Sequence, residues 1–122
     1  MSVRGIRGAI TVEEDRPEAV LEAARRLLLA IAEANPAFRP ADAASALFTV
    51  TPDLQSVFPA QAARQLGWTE VPLMCAQEIP VPGALPRCIR VLIHWNCDLP
   101  QSAVRHVYLG EAARLRPDLA LS

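Results

Sequence analysis

The sequence predicts an α+β fold, a mixed five-stranded sheet with helices on one face, and three observations carry that prediction. The chain has 122 residues, 52% of them apolar, which suits one domain spanning 1–122 and is too short for an eightfold βα barrel. Five segments read as strands and two as helices, in the order β, α, β, α, β, β, β. Two helices cannot cover both faces of such a sheet, so the layers are one of helices and one of strands.

Residues 3–12 form the first strand, rich in β-branched residues but carrying Gly5 and Gly8, which in a strand mark a bulge or a close approach by another group. Asp15-Arg16-Pro17-Glu18 then supplies an N-cap acid, an early proline and an acid three positions after the cap. Val20, Leu21, Ala24, Leu27, Leu28 and Ile31 recur at helical spacing, so one long amphipathic helix runs to Asn35-Pro36. Residues 45–51 form the second strand, broken by Pro52-Asp53. After Phe58-Pro59 a short helix over 60–66 stops at Gly67. Residues 71–76, 88–95 and 104–109 make the remaining strands. In the 88–95 strand, Ile89, Val91, Ile93 and Trp95 alternate with Cys88, Arg90, Leu92 and His94. Both faces are substantially apolar, which predicts burial of the second face against another subunit in a closed cyclic oligomer.

Twelve cations against thirteen acids leave a formal net charge of −1, with no basic stripe of the kind that neutralises nucleic-acid phosphates. All twelve cations are arginine. Compositional bias is sufficient to explain Arg16, Arg25, Arg26, Arg39 and Arg87. The opening Met1 to Arg7 has no apolar core of signal-peptide length, and no run reaches the roughly 18 apolar residues of a membrane span. A cytoplasmic protein is expected. Cys75, Cys88 and Cys97 are odd in number and lack CxxC spacing, so free thiols are expected rather than a disulfide framework or a zinc site.

Arg90 is the most informative polar residue. A guanidinium between apolar neighbours in mid-strand cannot deprotonate and must meet an acid or an anionic ligand. Two partners fit: Glu78, just after the preceding strand, or a bound anion. Arg7 alternates with Gly5 and Ala9, which leaves it either a surface cation or an arginine lining a pocket. His94 and His106 have no carboxylate or second ligand at diagnostic spacing, so they read as core or surface histidines and no metal is implied. No Ser, His and Asp grouping carries a nucleophile signature, and Gly5-Ile6-Arg7-Gly8 lacks the strand-loop-helix phosphate fingerprint. Tyr108 reads as an amphipathic strand residue, and Arg114 and Arg116 as solvated cations.

Arg4-Gly5-Ile6-Arg7-Gly8-Ala9, Thr51-Pro52-Asp53-Leu54, Val57-Phe58-Pro59-Ala60, the segment from Cys75 to Glu78, Cys88-Ile89-Arg90-Val91, Arg105-His106-Val107-Tyr108-Leu109 and Leu115-Arg116-Pro117-Asp118-Leu119 together resemble the small, trimeric, monofunctional chorismate mutases. The blocks match in order over nearly the whole chain. The resemblance implies a homotrimer forming a pseudo-α/β barrel, with an active site in each cleft between neighbours. It also implies the Claisen rearrangement of chorismate to prephenate, a step towards phenylalanine and tyrosine that needs no cofactor. Arg90 is then expected at the ether oxygen, Arg7 at a substrate carboxylate, and Glu78 and the backbone N–H of Cys75 at the ring hydroxyl, with Tyr108 closing through its phenol. Phe58, Ala60 and Arg64 match one wall, and Leu73, Met74, Leu115 and Arg116 the rest of the rim. Gln61 departs from the family pattern, standing where a lysine is expected at the pocket mouth. Two other classes compete: a non-catalytic trimer binding small anions in the same clefts, and a purely structural oligomerisation module. The first has no need of the full set of polar residues, and the second predicts apolar residues in place of Arg90 and its acid.

Overall fold

A computed structural model describes residues 2–115. Five strands, β1 (Val3–Thr11), β2 (Ala43–Val50), β3 (Leu73–Gln77), β4 (Cys88–Asn96) and β5 (Val107–Leu109), form one sheet in the order β3-β2-β4-β1-β5. The central strand β4 is antiparallel to both β1 and β2, while the edge strands β3 and β5 run parallel to their neighbours. Helices α1 (Pro17–Ala34) and α2 (Ala60–Gln65) complete the mixed α+β architecture.

The apolar stripe of α1 seats Val20, Ala24, Leu27, Leu28 and Ile31 on Ile6, Ile10, Phe48, Ile89, Val91, Ile93 and Trp95, all of them buried. At roughly 1.5 to 3 kcal/mol per large apolar side chain removed from water, this layer is the main source of stability. Phe38 and Trp68 close one end, with Phe38 meeting Trp95 edge-on at 5.5 Å between ring centres. Gly8 explains why α1 lies so close: a Cβ there would stand 2.8 Å from Ile31 Cδ1 and 3.1 Å from Leu27 Cδ1. Of the two meanings of a strand glycine, close approach therefore applies, since β1 keeps unbroken register with β4 from Val3↔Asn96 to Thr11↔Cys88.

Helix α2 ends as the sequence implies. Gly67, at φ +92°, sends its N–H to the Arg64 carbonyl while Trp68 N–H reaches the Ala63 carbonyl, both at 3.0 Å, the paired bonds of a Schellman turn. The start of α1 differs from expectation. Asp15 is not its cap; Arg16 holds that position with no side-chain bond. The Asp15 carboxylate instead accepts the backbone N–H groups of Gln55 and Ser56 at 3.0 and 3.1 Å. The Gln55 bond is the first cause holding this carboxyl below its ordinary range. Strand β2 begins two residues earlier than predicted, and β5 is three residues long, residues 104–106 preceding it as a connecting segment.

Only one face of β4 is buried within the chain. Ile89, Val91, Ile93 and Trp95 meet the helices, whereas Arg90, Leu92 and His94 are half-exposed on the other side. No helix lies over the second face, as expected of a chain with two helices, and apart from Cys88 that face is left half-open within the single chain. One end of that face is covered by the 3-10 turn Gly110–Arg114, under which Ala9, Cys88, Tyr108 and Ala112 form a second small core.

Candidate active site

Sheet register places one residue from each strand in a single row across the open face: Ala76, Thr49, Arg90, Ala9 and Tyr108. The small Ala9 lies between the two largest members, leaving space beside Arg90 and Tyr108. One row along, Arg7 stands opposite Leu92, which stands opposite Leu47. Arg7, Leu47, Thr49, Arg90, Leu92 and Tyr108, together with Glu78, line a cavity of about 180 Å³.

Arg90 and Glu78 do not close on each other in this cavity. Arg90 Nε lies 3.9 Å from Glu78 Oε2, beyond hydrogen-bond reach, with the two side chains 32% and 26% exposed. Glu78 takes a short hydrogen bond from the Thr49 hydroxyl instead. Among the described residues, Arg90 Nε and the Tyr108 phenol oxygen are both buried with no hydrogen-bond partner. An unsatisfied buried donor costs about 1 to 3 kcal/mol, so two beside one cavity mark groups held ready for a ligand rather than for the fold. Between the two partners open at the level of sequence, the geometry therefore favours an anionic ligand over a closed Arg90–Glu78 pair. Cys88, under this site, has its thiol pushed up from the usual range by burial first of all, so it is a neutral wall near pH 7.

Several supports were not legible in the chain. His106 lies just before β5, not inside a strand as expected, and its Nδ1 accepts the Arg7 backbone N–H at 2.9 Å. Buried Asn35, at the end of α1, bonds both the N–H and the carbonyl of Arg105 at 2.9 Å, fixing the approach to Tyr108. His94 Nδ1 pairs with Ser45 Oγ at 2.9 Å. Among the described residues no group of three metal-ligating side chains occurs.

The remaining expected contacts lie elsewhere. Phe58 and Cys75 line a separate cavity of about 480 Å³ with Val50, Leu54 and Ser56, and it shares no residue with the first. The ladder bonds from Ala46 N–H to the Pro72 carbonyl and from Glu78 N–H to the Val50 carbonyl set the alternation along β3. Met74, Ala76 and Glu78 donate to β2, so the N–H of Cys75 points outward from the free edge of the sheet. Phe58 and Met74 are 70% and 69% exposed. Gln61 and Arg64 lie exposed on α2, Ala60 is buried there, and Leu73 is half-buried against the main core. Leu115 packs on the small core beneath Tyr108. Arg116 lies outside the described residues.

Comparison with known proteins agrees with this arrangement. The profile of the family "Chorismate mutase type I" matches residues 3–119. The chain is 64% identical to chorismate mutase AroH of Thermus thermophilus over 117 residues, 96% of each chain. It is 49% identical to chorismate mutase AroH of Bacillus subtilis strain 168 over 123 residues, covering all of this chain and 96% of that one. A solved chorismate mutase from Clostridium thermocellum superposes with a TM-score of 0.87 at 44% identity, covering 90% of this chain and 97% of the other. With an arginine Nε and a phenol left open beside an acid on the sheet face and a match along nearly the whole chain, this protein belongs to the type I chorismate mutase family.

Proposed function

We propose that this chorismate mutase assembles each active site between neighbouring subunits of a closed homotrimer, from two half-sites that every chain carries apart. The observation behind this reading is the division of the expected substrate contacts into two cavities with no residue in common. The first, at about 180 Å³, is smaller than the roughly 300 Å³ at which ligand pockets begin. The half-open face of β4 and the exposure of Phe58 and Met74 supply apolar surface for a neighbour. A head-to-tail ring of three presents the second half-site of one chain to the first half-site of the next.

Conversion of chorismate to prephenate is a pericyclic rearrangement, so the protein supplies shape and charge rather than a nucleophile. Holding the substrate in its compact conformer draws on positioning gains of up to about 7 to 11 kcal/mol. As the C–O bond breaks ahead of C–C formation, negative charge gathers on the ether oxygen, and a fixed cation there favours the transition state over the ground state. Arg90 takes that role with its unpaired Nε; Arg7 grips a carboxylate. Glu78, held by Thr49, accepts the ring hydroxyl, which in turn meets the outward N–H of Cys75 from the neighbouring subunit. Tyr108 donates its phenol. Phe58, Ala60, Arg64, Leu73 and Met74 wall the neighbour's side, with Leu115 and Arg116 at the rim. Gln61 offers that mouth a hydrogen bond and no charge.

Sedimentation at rising dilution, with turnover followed in parallel, tests the assembly. The expected species has three times the 13.2 kDa chain mass, and activity per chain falls as it dissociates. A fully active monomer or dimer overturns the reading.

A further inference from the structure

Arg87, one of the arginines that compositional bias was sufficient to explain, occupies an unusual backbone position. It is the one non-glycine at positive φ among the described residues, at +47°, a conformation that L side chains adopt only where surrounding bonds enforce it. Those bonds are present. Its N–H donates to both carboxylate oxygens of Asp53, at 3.1 and 3.0 Å. Its Nε donates to the Val12 carbonyl at 2.9 Å, and its own carbonyl accepts the Val12 N–H at 2.8 Å. One residue on, Cys88 N–H donates to Thr51 Oγ1 at 3.0 Å, and that hydroxyl donates onward to Asp53.

This cluster sits where it can govern the Arg90–Glu78 spacing. The connection between the two passes through residues 79–87. At its start Glu78 N–H is bonded to the Val50 carbonyl at 2.8 Å; at its finish Arg87 and Cys88 are bonded to Asp53 and Thr51. The four residues 50–53 thus bracket both ends. Arg90 and Glu78 remain 3.9 Å apart, near enough to attract and too far to hydrogen-bond.

We propose that Asp53 is a positioning residue: by holding Arg87 in its left-handed conformation it keeps Arg90 and Glu78 from closing into an ion pair that would fill the substrate's place. It touches no substrate. Released from Asp53, residue 87 returns to negative φ, the 79–87 connection slackens, and the guanidinium and carboxylate meet. This inference rests on the role given above to Arg90.

Asp53→Asn is the informative variant, being isosteric but unable to accept both bonds from Arg87 N–H. The expected result is a fall in kcat on the order of 10- to 100-fold per folded chain, the scale of a misplaced catalytic group, larger than any rise in KM. The Arg90 Nε–H resonance, assigned by its absence in Arg90→Lys, shifts downfield and exchanges more slowly as Glu78 accepts it. Adding Arg87→Gly, which takes positive φ without a Cβ penalty, restores most of kcat and the parent resonance. If Asp53→Asn does not fold, Arg87→Val, whose β-branched side chain disfavours positive φ, carries the same expectation in kcat and resonance. A kcat within twofold of the parent, or a loss with no change at Nε–H and no rescue by glycine, overturns the proposal. Full turnover in Arg90→Lys overturns instead the role of Arg90, so the two failures are distinguishable.

Discussion

Replacing Arg90 by lysine separates catalysis from folding at one position. The ion pair with Glu78 spans 3.9 Å between side chains 32% and 26% exposed, a geometry worth about 0 to 1 kcal/mol after solvent screening. Glu78 keeps its bond from Thr49 in the variant, so no acid is stranded. Arg90→Lys should therefore move the thermal midpoint by less than about 5 °C for a domain of this size. The rearrangement loses more. A lysine is a point charge on a flexible stem and cannot present the planar fork to the ether oxygen and an adjacent carboxylate together. Removing one such fixed donor to developing charge costs about 3 kcal/mol, or on the order of 100-fold or more in kcat. Loss of chorismate's ultraviolet absorbance gives kcat, and denaturant unfolding of the same preparation gives stability. If the two losses are equal in free energy, or if turnover persists within about tenfold, Arg90 is a structural cation and the electrostatic argument fails.

Further expectations concern pH and packing. Because the rearrangement moves no proton, kcat should stay nearly flat from pH 6 to 8; a steep bell across that range would indicate an essential acid and base. Cys88 adds no titration there. Its raised pKa makes the neutral thiol the favoured form, so its contribution to stability is intact below the thiol's ordinary pKa near 8.5 and declines only as pH rises past it. Gly8→Ala should destabilise by about 1 to 3 kcal/mol, since the new methyl meets Ile31 Cδ1 at 2.8 Å, Leu27 Cδ1 at 3.1 Å and the Val107 carbonyl at 3.3 Å. Thermal unfolding measures this, and an unchanged midpoint would mean that α1 retreats from the sheet without loss.

The elements that were legible in the sequence are those set by local rules. The stripe of α1 is periodic, Gly67 is the residue a Schellman turn requires, and the alternation of β4 survives because β1 pairs with it without a break and the irregularity in its pairing with β2 falls in β2, at Ala43/Ser45. Asp15 shows where such rules stop. Its position before Pro17 is that of a cap, yet N–H groups forty residues downstream take its carboxylate, a competition that spacing cannot reveal. Arg90 was identifiable as a residue in need of an anion, but that Glu78 answers to Thr49, leaving Nε open, depends on β2 lying between β3 and β4. Asp53 and Arg87 escaped notice for the same reason. One is a turn acid and the other one arginine among twelve; only the turn conformation joins them.

The outward N–H of Cys75 has a consequence for solubility. An unpaired strand edge is a template for another chain, and proteins usually blunt such edges with a charge, a bulge or a proline. A proline at Cys75 would remove the N–H that the proposed site needs, and Leu73-Met74-Cys75-Ala76-Gln77 carries no charge. Protection comes from brevity: the strand is five residues long, with Pro72 before it and Pro80 soon after. In the proposed ring a neighbour covers this edge. The species open to edge-to-edge aggregation is then the separated subunit, so the contact that completes the catalytic cleft also shields its most adhesive strand.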